Sequence, residues 1–332
     1  MNVYLTVDVE VWPVHTGGWP HIPLEAEQTC EREMAGYFTG DAPQGNCGLP
    51  YQLLTLGRHG LKATFFVDPL FSFPLGLQPL QRVVSMIEGA GQAVALHLHP
   101  EWLTDPRCRG LPAFRGPMIS SYPVDEQVAL IRLGWDRLCA AGAHPISAFR
   151  AGSWGADRST LTALRDCGLK VDCSLNARMD HSFATYGRRS AIQDPVILDG
   201  MIELPASRLR DGMVQGGRAI SFLGCSADEI AFFLRSCTEA GRRSAVLVLH
   251  SNEFANTDRI WQGRALVPRR TIMQRFERTC RLLAENRATL PACFVTAAMA
   301  AATDSATEDF VPQSNIARTL RRQVGQVLSR WY

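Results

Sequence analysis

"VALHLHPEWL" (Val94–Leu103) is an alternating apolar strand that carries two histidines two residues apart and stops at a proline, with Glu101 and Trp102 directly behind it. Residues at i and i+2 on a strand face the same side, so His97 and His99 project together from its C-terminal end. That end is where parallel βα folds keep their chemistry. Working outward, short β-branched and aromatic runs alternate with helical patterns, the signature of parallel βα units. The strands expected are Val3–Val7, Lys62–Val67, Ala93–Leu98, Ala148–Arg150, Lys170–Cys173, Met201–Leu204, Ala245–Leu249 and Ala292–Val295. Helices are expected near Tyr51–Arg58, Leu77–Ala90, Asp125–Ala141, Arg158–Cys167, Ser226–Ala240 and Pro268–Asn286. Pro50 suits a first turn, Asp157 and Ser226 suit N-caps, and Glu229 completes a capping box.

Ionisable residues recur at the other strand ends: Asp8 and Glu10 on the first, Arg150 on the fourth, Asp172 on the fifth and His250 on the seventh. Two imidazoles and a carboxylate meeting at one point make a zinc-like or other divalent site. The duller alternatives are a hydrogen-bonded structural histidine, surface or capping carboxylates, and an internal Arg150–Asp172 ion pair.

The chain has 332 residues, 46% hydrophobic, with a net charge of +2, which gives no electrostatic footprint for nucleic acid. Its first residues, "MNVYLTVDVEVW", lack a basic n-region, an apolar h-region and a cleavage site, and no run of about 18 apolar residues occurs. Ten cysteines are scattered without C-x-x-C pairs, as expected of reduced thiols in a cytoplasmic protein. Residues 13–48, rich in Gly, Pro and polar side chains, read as a loop insertion, either a lid or a passive excursion. Beyond a catalytic region of 1–302, residues 303–332 read as a linker and an amphipathic helix. There Ile316, Leu320, Val324, Val327, Leu328 and Trp331 form one apolar stripe, with Arg318, Arg321, Arg322 and Arg330 on the other faces. That pattern fits either peripheral membrane contact through 314–332 or packing back on the barrel.

The order of these motifs resembles the NodB-homology polysaccharide deacetylases, carbohydrate esterase family 4, over most of 1–300. "LTVDVE" (Leu5–Glu10), "GLKATFFV" (Gly60–Val67), "HLHPEW" (His97–Trp102), "FRAGSWG" (Phe149–Gly155), "GLKVDCSL" (Gly168–Leu175) and "LVLHSNEF" (Leu247–Phe254) follow the family's succession. The wording is similar to the WalW-like, lipopolysaccharide-biosynthesis branch. The resemblance implies an α/β fold, a distorted (β/α)7-8 barrel, and hydrolysis of an acetyl group from the nitrogen of an N-acetylhexosamine in a saccharide or lipid-linked glycan precursor. It further implies Asp8 as general base, His250 as general acid on the opposite side of the mouth, Arg150 orienting Asp8, and Asp172 orienting His250. A divalent cation, zinc by preference, would be held by Glu10, His97 and His99, with Glu101 as alternative to His99. Trp102 and Trp154 would offer aromatic faces to sugar, or else pack in the core. Two departures stand out. Val9 occupies the place of the family's second adjacent aspartate, which moves that acid to Glu10. The residue four beyond His97 is Glu101, where the family has a histidine. Rival readings are an allantoinase-like amidohydrolase of a small cyclic amide, a metal-independent glycosidase, and a non-catalytic carbohydrate-binding domain.

Overall fold

The computed structural model describes residues 1–11, 37–176, 192–210, 217–256, 265–303, 310–315, 318–319 and 322–323. Twelve strands are present among them: β1 (Asn2–Val9), β2 (Asp41–Ala42), β3 (Gly45–Asn46), β4 (Ala63–Val67), β5 (Ala93–Leu98), β6 (Ala148–Ala151), β7 (Val171–Asp172), β8 (Val196–Leu198), β9 (Met201–Glu203), β10 (Arg208–Leu209), β11 (Arg218–Ala219) and β12 (Ser244–His250). Eight form one sheet in the order β12-β1-β4-β5-β6-β7-β9-β8, parallel except for the β8–β9 hairpin. The six principal helices are α1 (Leu49–His59), α2 (Leu77–Gly89), α3 (Val124–Ala140), α4 (Arg158–Asp166), α5 (Ala227–Glu239) and α6 (Arg270–Glu285). Pro50 sits in the first turn of α1, and capping boxes join Asp157 to Thr160 and Ser226 to Glu229, so these helices start where their sequences have start signals.

Strand periodicity sorts the side chains into two layers. On β1, Val3, Leu5, Val7 and Val9 face the helices, whereas Tyr4 joins Phe66, Ala95, Ala148, Val246 and Val248 inside the curled sheet. Thr6 and Asp8 share the parity of Tyr4 and so face inward with it. The sheet is a distorted barrel with a seam. Across the gap between the end of β7 and β12, single hydrogen bonds run from Ala206 N to Leu175 O, from Ile220 N to Ser207 O and from Val248 N to Ile220 O.

Two expectations need correction. Ala292–Val295 is not a strand: it contributes one parallel bridge to Val3 and passes into a 3-10 turn at Val295–Ala297. The eighth place in the sheet goes to Val196–Leu198, whose short apolar run gave too little alternation to be recognised. Of the insertion at 13–48, residues 13–36 lie outside the described residues; Tyr37 and Phe38 are buried, and Asn252 Nδ2 donates to the Tyr37 hydroxyl beside the end of β12.

The tail packs back on the domain wherever it is described. Gln313 bridges to Arg210, Arg318 lies 4.2 Å over the Phe232 ring, and Arg322 Nε is 3.5 Å from Glu229 Oε2. Thus Arg318 and Arg322 are not solvated charges. The stripe residues Ile316, Leu320, Val324, Val327, Leu328 and Trp331 lie outside the described residues. No helix among the described residues is long and apolar enough to cross a membrane.

Candidate metal centre and its surroundings

Glu10 follows β1 by one residue and His99 follows β5 by one, so both extend the inward rows begun by Asp8 and His97. The Nε2 atoms of His97 and His99 lie 3.1 and 2.6 Å from one oxygen, Oε2 of Glu10, and all three residues are buried. Nδ1 of His97 is 2.7 Å from the Arg150 carbonyl, which can only accept; the proton therefore sits on Nδ1 and fixes the ring with Nε2 toward Glu10. Nδ1 of His99 faces Glu101 at 3.3 Å. Glu101 thus lies behind His99, while Glu10, His97 and His99 place one ligand atom each within 4.8 Å of one another. Of the two candidates that the sequence offers, His99 is the one whose ligand atom converges with those of Glu10 and His97. One oxygen and two nitrogen donors, buried, convergent and backed by second partners, fit a divalent cation.

Burial by itself would raise the Glu10 carboxyl, but the His99 charge, with the ring nitrogens of both histidines close against it, holds it well below the usual carboxylate range. Burial likewise opposes a charged His99, and Glu10 and Glu101 outweigh it, raising its pKa well above the usual imidazole value.

Arg150 Nη1 donates to Asp8 Oδ1 at 2.6 Å, Nη2 to Thr6 Oγ1 at 3.0 Å and Nε to the Cys173 carbonyl at 3.2 Å. The guanidinium also lies 4.3 Å over the Phe66 ring. Asp8 is therefore held by a fully buried, multiply anchored arginine. His250 stands next to Asp8 in the β1–β12 register, not on the opposite side of the mouth, with Nε2 at 3.9 Å from Asp8 Oδ2 and 3.7 Å from Glu10 Oε1. Its Nδ1 meets Glu253 Oε1 at 2.7 Å. Burial disfavours the His250 imidazolium, yet Glu253, Glu10 and Asp8 together raise its pKa to about 10.

Glu253, rather than Asp172, is the carboxylate hydrogen-bonded to His250, and register explains the difference. Asp172 pairs with Phe149 and Glu203 across the sheet, and Phe149 faces the helices; the inward position at the end of β7 belongs to Cys173. Asp172 accepts from Ser174 and lies against Glu203, whose pKa is raised well above the usual range by burial and by the neighbouring carboxylate. Glu253, three residues after His250 in "LHSNEF", went unnoticed because it lies beyond the strand.

Asp68 was missed as well, although it follows β4 by one residue in the way Glu10 follows β1. It is fully buried, its Oδ1 accepts from Leu70 N and its Oδ2 has no hydrogen-bond partner among the described residues. Burial raises its pKa to about 7, opposed by the charges of His99 and His97.

The tryptophans separate. Trp102 is 1% exposed and donates from Nε1 to the Val11 carbonyl, a core residue that cannot receive sugar. Trp154 is half-buried with its ring 5.0 Å from the Arg150 guanidinium, and Ser153 and Trp154 both adopt left-handed backbone (φ 52° and 57°) to put it there. Gly152 begins this turn: a Cβ on it would come within 2.5 Å of the Leu98 carbonyl and 2.8 Å of the His99 ring.

No family model and no curated protein matches the sequence. The fold is similar to that of a Mycobacterium smegmatis protein whose name places it among the polysaccharide deacetylases, at 18% identity over 90% of this chain and 89% of that one, with a TM-score of 0.55. A family 4 carbohydrate esterase from Streptomyces lividans is 12% identical over 93% and 97% of the two chains, with a TM-score of 0.42. A pseudoenzyme of the same family from Bacillus anthracis is 12% identical over 95% and 63%, with a TM-score of 0.41. The distorted barrel is thus the fold of the first of these.

Proposed function

We propose that the protein is a metal-dependent hydrolase that removes the N-acetyl group from an N-acetylhexosamine in a saccharide or glycan precursor. The observation that carries this reading is the convergence, on one end of one barrel, of Glu10, His97 and His99 beside an Arg150-held Asp8 and a Glu253-held His250. A divalent cation, zinc by donor set, would be held by Glu10, His97 and His99; when bound it supplies polarisation of the acetyl carbonyl and acidification of the attacking water. Asp8 accepts a proton from that water as its oxygen bonds to the acetyl carbon, and Arg150 holds the carboxylate in place. His250, charged in its surroundings, gives its proton to the amide nitrogen as the C–N bond breaks, so that the amine departs neutral. Glu253 then favours recharging of the imidazole from solvent, to which the side chain is 34% open. Trp154 offers the aromatic face for a sugar ring.

The proposed substrate extends to lipid-linked glycan precursors in the cytoplasm. Since Arg318 and Arg322 are engaged in the fold, membrane contact through the tail would fall to residues 324–332. The deciding experiment incubates the protein with N-acetylglucosamine oligomers, with and without chelator, and measures acetate. Release that stops with chelator and resumes with zinc is expected, with His97→Ala losing both bound metal and activity while Asp8→Asn keeps metal and loses turnover. Acetate release unaffected by chelator, or full metal content in His97→Ala, would overturn the reading.

A further inference from the structure

Helices α5 and α6 flank β12 in sequence, and both begin on the face where that strand ends in His250. Between the first turn of α5 and the first three turns of α6 lies a cavity of about 210 Å³ whose lining includes Ser226, Ala227, Asp228, Arg275, Arg278 and Arg322. Its charge is unbalanced. Arg278 pairs with Asp228 at 2.8 Å, but both side chains are more than 60% exposed, an arrangement worth little and easily exchanged. Arg322 reaches Glu229, which already receives Arg218 and the Ser226 amide.

Arg275 is different. It is 7% exposed and makes no ion pair among the described residues; only Nη1 is hydrogen-bonded, to the carbonyls of Phe222 and Leu223, which leaves Nε and Nη2 unpaired along the cavity wall. Burial penalises this guanidinium, a cost that the carbonyl dipoles and the nearby Glu229 charge only partly offset. The amides of Ala227 and Asp228, at the positive end of a 13-residue helix, also have no acceptor among the described residues. A tetrahedral oxyanion seated there would receive both amides and the open edge of Arg275, and would draw Arg278 away from Asp228.

We propose that this cavity is a binding site for a phosphate group. It is separate from the Glu10–His97–His99 centre, and its occupation is read without any deacetylation, so it stands or falls independently of the activity proposed above.

The test titrates full-length protein with inorganic phosphate at constant ionic strength against chloride, by calorimetry. Saturable binding is expected, weakened about tenfold or more by Gln274→Glu, which puts a negative charge on the cavity rim, and by Arg278→Ala. Both positions are exposed, so both variants should fold, and an unchanged melting temperature in chloride verifies it. No saturable phosphate binding in the wild type, or equal binding in both variants, overturns the proposal. Vesicles of phosphatidylcholine with and without phosphatidic acid identify the source of the phosphate. Sedimentation only with phosphatidic acid, lost in Gln274→Glu, assigns a lipid headgroup; phosphate binding without sedimentation assigns a soluble phosphate ester.

Discussion

His250 takes its character from Glu253. A histidine whose pKa is raised on folding contributes stability that is complete below its unfolded value, near 6.5, and is lost as pH rises toward about 10. Glu253→Gln removes the hydrogen-bonded charge, so the variant should be less stable than the wild type at pH 6 by about 1 kcal/mol, a figure kept small because the imidazole is partly open to water. The difference should vanish above pH 10. Ring-proton NMR should place the His250 midpoint lower in the variant; an unmoved midpoint would show that Glu10 and Asp8 alone set it. Deacetylation should fall further on an amide than on an activated acetyl ester, whose leaving group scarcely needs a proton.

The turn after β6 and the outer face of β7 each impose a requirement at the scale of one element. Because a Cβ at Gly152 would press on the His99 ring and the Leu98 carbonyl, Gly152→Ala should lower metal affinity by about 10–100-fold, as displaced support of a ligand typically does. Equilibrium dialysis with zinc measures it, and unchanged affinity would mean that the turn yields at no cost to the centre. On β7 and β9, the Asp172–Glu203 pair faces the helix layer, where Glu203 stays protonated well above its unfolded value of about 4.5. An acid with a raised folded pKa binds more protons in the native state, so stability falls as pH rises above about 4.5, by up to about 1.4 kcal/mol per pH unit for one proton. Glu203→Gln keeps a donor beside Asp172 without a proton to lose. Its melting temperature should therefore vary less between pH 5 and pH 9 than that of the wild type; parallel profiles would remove Glu203 as the source.

Across the whole molecule, the tail acts as a strap. Gln313 holds Arg210 through a strand-like bridge, Arg318 stacks on α5 and Arg322 reaches Glu229 beside the α5 capping box. Deleting 310–332 should therefore lower the melting temperature by several degrees, at about 2–4 °C per kcal/mol for a domain of this order of size. Differential scanning calorimetry checks it. A truncated form that melts with the intact chain would show that these contacts add nothing to the fold.

By itself the sequence determined the elements and most of the side chains that converge on the candidate site. Apolar alternation and capping residues located six helices and seven of the parallel strands to within a few residues, because burial period and helix start signals are local properties. Asp8, Glu10, His97, His99, Arg150 and His250 were legible for the same reason, as ionisable residues ending apolar strands. Tertiary structure decided the rest. Register turned Asp172 toward the helices and left Glu253 to pair with His250; ring orientation set His99 between Glu10 and Glu101; packing buried Trp102 and left Trp154 at the mouth. Asp68 and the arginine-lined cavity draw on residues far apart in the chain. Which side chains share a space depends on how strands pair and helices pack, and no local period encodes that.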